Sequence, residues 1–168
     1  MFQEFPALPT PDFERHVLSV KRPFFMLFAE DDPDDKMLLE IALGKLGMRD
    51  YYIARDGVEA IEYLQGAGKF SDKTRFPTPT CLILDVNMPR MNGIEVLEWL
   101  KARENQRIIP TVLFSGAATE RDLRRAYKLG VRTVFQKPAG MDSLLHGLKL
   151  LQEYWSTAEI PLPELELA

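Results

Sequence analysis

The sequence predicts an α/β fold in which five strands alternate with five helices, giving a parallel sheet covered on both faces. Three observations carry that prediction. The runs at residues 24–29 and 81–84 are apolar without polar alternation, which suits strands buried on both faces. Between such runs apolar residues recur at helical spacing, and Gly, Pro, Asp and Thr punctuate the ends. Both runs also stop at carboxylates, Glu30, Asp31 and Asp32 after the first and Asp85 after the second. In open α/β sheets ligands and chemistry sit beyond the carboxyl ends of the strands, so these acids stand where function is expected.

In chain order, residues 1–22 carry Pro6, Pro9 and Pro11 among scattered aromatics and read as an irregular arm, with a short helical stretch expected at 12–20. The first strand is 24–29. Pro33 in the first turn, Asp34 and Asp35 near the positive helix end, and an apolar set of Met37, Leu38, Ile41, Ala42 and Leu46 define a helix closed by Gly47. A strand at 51–54 follows, then a helix with Ala60, Ile61 and Leu64 inward, ending near Gly66. The polar loop that runs to Thr80 is longer than the usual connection and reads as a mobile segment or a contact site. After Asp85, the turn VNMPRMNG leads into a helix at 94–103 with Ile94, Val96, Leu97 and Leu100 inward and Trp99 at the edge of the stripe. The fourth strand, 111–114, ends at Ser115. Thr119 caps the next helix, Glu120 and Asp122 fill its first turn and Gly130 stops it. The fifth strand, 131–135, delivers Lys137, and a last helix at 142–155 carries Leu144, Leu145, Leu148 and Leu151.

At 168 residues the chain has the size of one domain and can bury a substantial core. Its hydrophobic fraction of 46% beside 27% charged residues is that of a globular protein, and a net charge of −4 argues against a nucleic-acid binder held by phosphate contacts. The single cysteine, Cys81, lies in an apolar strand, which excludes a disulfide framework and a cysteine zinc site and fits a buried thiol in a reducing cytoplasm. No apolar run approaches bilayer-spanning length and no cationic leader precedes one, so a soluble, cytoplasmic protein is expected.

Two strands that end in acids bring Glu30, Asp31 and Asp85 toward one end of the sheet. Such like charges are costly together unless a cation neutralises them, and hard oxygen ligands suit Mg²⁺. His16 and His146 have no second ligand at useful spacing and read as surface or packing residues. Arg121, Arg124, Arg125 and Lys128 crowd the fourth helix as a solvated face.

Taken together these residues resemble the receiver domain of two-component response regulators. Glu30 and Asp31 match the family's acidic pair and Asp85 its phosphoacceptor. Ser115 in TVLFSGA matches its hydroxyl residue, and Lys137 with Pro138 in VFQKP its lysine and proline. The motifs lie in order on successive predicted strands. The resemblance implies a flavodoxin-like doubly wound sheet of order 2-1-3-4-5 and a receiver domain at 23–155, between the arm at 1–22 and a C-terminal extension at 156–168. It implies that Asp85 takes a phosphoryl group from a histidine kinase or a small acyl phosphate. Asp31 and Asp85 would hold Mg²⁺ directly, Asn87 through its main-chain carbonyl and Glu30 mainly through water. Lys137 and Ser115 would contact the phosphoryl oxygens, Gly116 would leave room for them, and the Lys137 to Pro138 bond would be cis. The chain departs from the family at Val134, three positions before the lysine, where an aromatic residue is usual; Phe135 is one residue later, on the opposite face of the strand.

The implied function is an interaction switch that phosphorylates and dephosphorylates itself and turns over no substrate, with no room for a separate output domain. A phosphatase of the haloacid dehalogenase type is the alternative, but it needs an aspartate two residues after the nucleophile, and Asn87 stands there. A flavin or nucleotide carrier would need a glycine-rich phosphate loop after the first strand, which the sequence lacks. Tyr154 and Trp155 followed by Leu162 and Pro163 look like the tail of receivers that serve phytochrome-type kinases. The two aromatics, with Ile160 and Leu165, are expected to be buried against a second copy, giving a homodimer through the fourth strand, fifth helix and tail.

Overall fold

A computed structural model describes residues 24–103, 109–137 and 140–158. The described elements are β1 (Met26–Ala29), α1 (Pro33–Lys45), β2 (Tyr51–Ala54), α2 (Gly57–Gln65), a 3-10 turn (Gly68–Phe70), β3 (Cys81–Asp85), α3 (Gly93–Lys101), β4 (Thr111–Ser115), α4 (Glu120–Leu129), β5 (Thr133–Gln136) and α5 (Met141–Thr157). The strands form one parallel sheet of order β2-β1-β3-β4-β5, as expected, with Leu27 level with Leu82 and Leu84 level with Leu113.

Alternation along the strands splits the core into two layers. Leu27, Leu82, Leu84 and Leu113 face α2, α3 and α4, against Ala60, Tyr63, Val96 and Leu97. Met26, Phe28, Ile83 and Val112 face α1 and α5, against Ala42, Leu43, Leu148 and Leu151. Asp32, Asp56, Asn92 and Thr119 cap the helices with their side chains, and Gly66 and Gly130 end α2 and α4 in the left-handed conformation. Two strands start later than the apolar runs suggest. Phe25 is held by Thr80, whose hydroxyl accepts from the Phe25 N–H, and the Val131 N–H closes α4 by donating to Ala126, so pairing begins at Met26 and Thr133.

Three expectations need correction. The buried stripe of α1 is Leu39, Ala42 and Leu43, flanked by half-buried Leu38 and Leu46, whereas Met37 and Ile41 are 55% and 44% exposed. This helix is apolar on both sides, and Met37 lies about 200° around the axis from Leu39. The loop after α2 is anchored in the core at two places rather than free, although residues 71–75 stay exposed. Its 3-10 turn buries Phe70 completely between Tyr52 and Phe76, at ring distances of 5.3 and 5.1 Å. The Tyr63 hydroxyl ties the far end by donating to the Pro77 carbonyl at 2.9 Å. Finally, Trp155 is only 9% exposed and belongs to the α1/α5 layer, so of the two terminal aromatics Tyr154 alone is exposed, at 62%. The arm at 1–22 and the tail from 159 lie outside the described residues.

Candidate functional site

The carboxyl end of the sheet is built from residues that the strands deliver just as they stop. Beyond β1, the Glu30 N–H still donates to Ala54 at 3.0 Å, so Glu30 extends the strand and its carboxylate is 91% buried (9% exposed). Asp85 is the last residue of β3, and one of its oxygens accepts from the Asn87 N–H at 3.1 Å. Lys137 follows β5 and is fixed by its own N–H, which donates to the Ser115 carbonyl at 2.9 Å. Its ammonium lies 2.7 Å from Asp85, 2.7 Å from Asp35 and 2.8 Å from Glu30. Glu30, Asp31 and Asp85 each offer an oxygen within 4.8 Å of the others, with Asp31 the most open of the three.

Burial and charge set the protonation of this edge. A cavity of about 60 Å³ with an apolar floor of Phe28, Leu38, Phe114 and Leu148 reaches up to Glu30, Asp35, Asp85 and Lys137. Burial pushes Glu30 up to about 7, outweighing the hydrogen bond from Lys137, and the nearby Asp85 adds to the rise. Asp31 is also raised, first by burial and then by Asp85. For Lys137 burial acts downward, but hydrogen bonds to Asp35, Asp85 and Glu30 outweigh it and hold the ammonium charged. A hard divalent ion fits this donor set, three carboxylate oxygens within 4.8 Å of one another.

The edge thus brings together Glu30, Asp31, Asp85, Lys137 and the backbone of Asn87. Ser115 is buried on the adjacent strand, one residue past the partner of Asp85, and its Oγ accepts from the Ala117 N–H at 3.3 Å. It lines a groove on the α4 side with Ala118, Leu123, Tyr127 and Val134. Space around Gly116 is open: a Cβ there meets nothing within 4 Å. Val134 packs in the α4 layer while Phe135 stacks on Phe114 at 5.6 Å in the opposite layer, as strand alternation requires. Pro138 lies outside the described residues. Asp35 is the site residue that sequence reasoning placed only as a helix-end charge. As the third residue of a helix separated from the end of β1 by three residues, Asp35 reaches the edge only because the axis of α1 carries it there, which the local sequence does not encode.

A five-stranded parallel sheet of this order, with acids gathered around a lysine at its carboxyl edge, defines the flavodoxin-like receiver fold. The chain belongs to the response regulator receiver domain family of two-component signalling, whose model matches residues 26–149. It is 33% identical over 144 residues to the probable methanogenesis regulatory protein FilR2 of Methanothrix harundinacea, covering 83% of this chain and 88% of that one. It is 29% identical to response regulator Rcp1 of Synechocystis sp., covering 83% of this chain and 94% of Rcp1. Among solved structures, the phosphorylated cyanobacterial phytochrome response regulator RcpA superposes with a TM-score of 0.72 at 31% identity, covering 83% of this chain and 99% of RcpA. The Mn²⁺-bound form of Rcp1 does so with a TM-score of 0.71 at 28% identity and the same coverage.

Proposed function

We propose that the chain is a phosphorylation-controlled switch whose receiver domain, 23–155, accepts a phosphoryl group on Asp85 from a histidine kinase and thereby changes its protein partners. The observation that carries this reading is the Lys137 ammonium seated 2.7 Å from Asp85 among acids that converge within 4.8 Å. In the transfer, an oxygen of the Asp85 carboxylate attacks phosphorus, the bond from phosphorus to the donor nitrogen breaks, and the donor keeps the electron pair. Such a reaction needs positioning and charge neutralisation more than covalent machinery. The Asn87 N–H and the Lys137 ammonium fix the Asp85 carboxylate before the reaction, one on each oxygen. Lys137 then pairs with the phosphoryl oxygens, and Ser115 supplies a hydroxyl from the neighbouring strand. Asp31, Asp85 and the main-chain carbonyl of Asn87 would hold Mg²⁺, with Glu30 acting through water, and the ion would neutralise charge on the phosphoryl oxygens. That Rcp1 was crystallised in a Mn²⁺-bound form supports a divalent ion in a receiver of this kind.

The likeness to RcpA and Rcp1 makes a phytochrome-type kinase the proposed donor. A second copy is the proposed partner of exposed Tyr154 and Leu150 on α5. Acetyl phosphate with Mg²⁺ is expected to add one phosphoryl group to the protein and none to Asp85→Asn, read by intact mass. Undiminished labelling of the variant would overturn the assignment.

A further inference from the structure

The segment that carries Asn87 past Asp85, residues 86–92, is pinned at both ends by its own backbone. The Val86 N–H donates to Phe114 at 3.3 Å and the Gly93 N–H returns to Val86 at 3.1 Å, while Asn92 and Glu95 form a reciprocal cap on α3. Its middle is held from outside. Arg90 has a φ of +63°, the one positive value on a non-glycine residue among the described residues, in a region that glycine and asparagine enter more readily than arginine. A side chain kept in that conformation requires surroundings that over-determine it. Those surroundings are the start of α2. The Arg90 guanidinium is hydrogen-bonded to Asp56 Oδ2, and Asp56 is 3% exposed, its other oxygen capping α2 through the Glu59 N–H at 2.9 Å. Next to it, Gly57 lies so close to the segment that a Cβ would stand 2.4 Å from the Met91 carbonyl oxygen. A buried carboxylate with one oxygen committed to its helix and the other to a distant loop spends its charge on placing that loop.

We propose that Asp56 is a positioning residue for the pocket: by gripping Arg90 it fixes the 86–92 segment so that Asn87 is presented beside Asp85. Neither residue touches the reacting atoms. The proposal rests on the reading of Asp85 as a metal-assisted phosphoacceptor, and it adds the element that holds the ligand loop, the start of α2.

Arg90→Gly separates side chain from backbone, since glycine adopts positive φ freely and removes only the grip. The full chain and the variant are titrated with Mg²⁺ by calorimetry, and their melting temperatures and acetyl-phosphate labelling rates are measured alongside. Arg90→Gly is expected to weaken Mg²⁺ binding about tenfold, as loss of outer-shell support does, and to slow labelling. Its melting temperature should fall modestly, because a buried Asp56 oxygen loses its partner. Arg90→Lys should recover part of the affinity, and Asp56→Asn, which keeps the helix cap, should repeat the loss without adding to it in the double variant. A fall in melting temperature with unchanged Mg²⁺ affinity would make the pair merely structural and overturn the proposal. Failure of the unaltered protein itself to bind Mg²⁺ would overturn the parent reading and this one with it.

Discussion

Lys137 pairs with three carboxylates at once, and this decides what its loss would do. It competes with any divalent ion for Glu30 and Asp85, whose oxygens lie 2.8 and 2.7 Å from its ammonium. Lys137→Ala is therefore expected to leave Mg²⁺ affinity unchanged or tighter, while abolishing the spectral response of the rest of the domain to phosphorylation; calorimetry and amide NMR read the two effects. A tenfold weaker Mg²⁺ affinity in the variant would show that the lysine supports the ion instead. Glu30, Asp31, Asp85 and Lys137 were legible in the sequence because each ends an apolar run, and a strand end is a fixed place in a parallel sheet. Asp35 was not, because its reach depends on where a helix axis points, which the local pattern does not encode. Asp56 and Arg90 were invisible for a stronger reason: they are 34 residues apart and meet only through the packing of α2 against the loop after β3.

Among the elements, the segment after α2 shows how a polar sequence hides a packed one. Its lysines and prolines suggest a free loop, yet Phe70 and Phe76 complete an aromatic cluster with Tyr52 and Tyr63. Beside that cluster, the buried Glu59 accepts from the Arg55 N–H at 2.8 Å, from Lys69 at 2.6 Å and from the Tyr52 hydroxyl at 3.2 Å. Burial raises the Glu59 carboxyl, but these bonds outweigh it and hold it below the usual glutamate value. A lowered folded value stabilises the protein above the unfolded value, and that stability is lost as pH falls through the folded one. Glu59→Gln is expected to cost about 1–2 kcal/mol at neutral pH. Because the variant has no such group to titrate, the gap to the parent should close below about pH 4 in denaturant melts. A gap that is constant from neutral pH to pH 3 would mean that Glu59 acts by shape and not by charge. The helix α1 teaches a related lesson, since hydropathy alone could not choose between its two apolar sides, and only the α5 layer fixes Leu39 and Leu43 as the inner ones.

At the scale of the whole molecule, α5 closes the sheet with Leu144, Leu148, Leu151 and Trp155 and leaves Leu150 and Tyr154 outside. The two neighbouring aromatics thus have separate duties that the sequence, reading them as a pair, joined. Trp155→Ala is expected to cost about 3–5 kcal/mol of folding stability whatever the protein concentration. Tyr154→Ala should stay within about 0.5 kcal/mol for the monomer and shift only the association equilibrium, measured by light scattering across the micromolar range. Equal effects on folding from both would refute the division. The parallel sheet with two covered faces was readable in advance because apolar runs alternating with helical stripes admit few other packings, and its strand order came from the resemblance to receivers, whereas the side of a terminal helix that meets solvent is settled only by what lies opposite. Lys137 has a last consequence for the molecule as a whole. Its ammonium is a counter-ion supplied by the chain itself, within 2.8 Å of Glu30, Asp35 and Asp85, so part of the repulsion among the acids is met by the fold. A chelator is expected to silence the chemistry and to lower the melting temperature only by the binding energy of the ion it removes, with the cooperative transition intact.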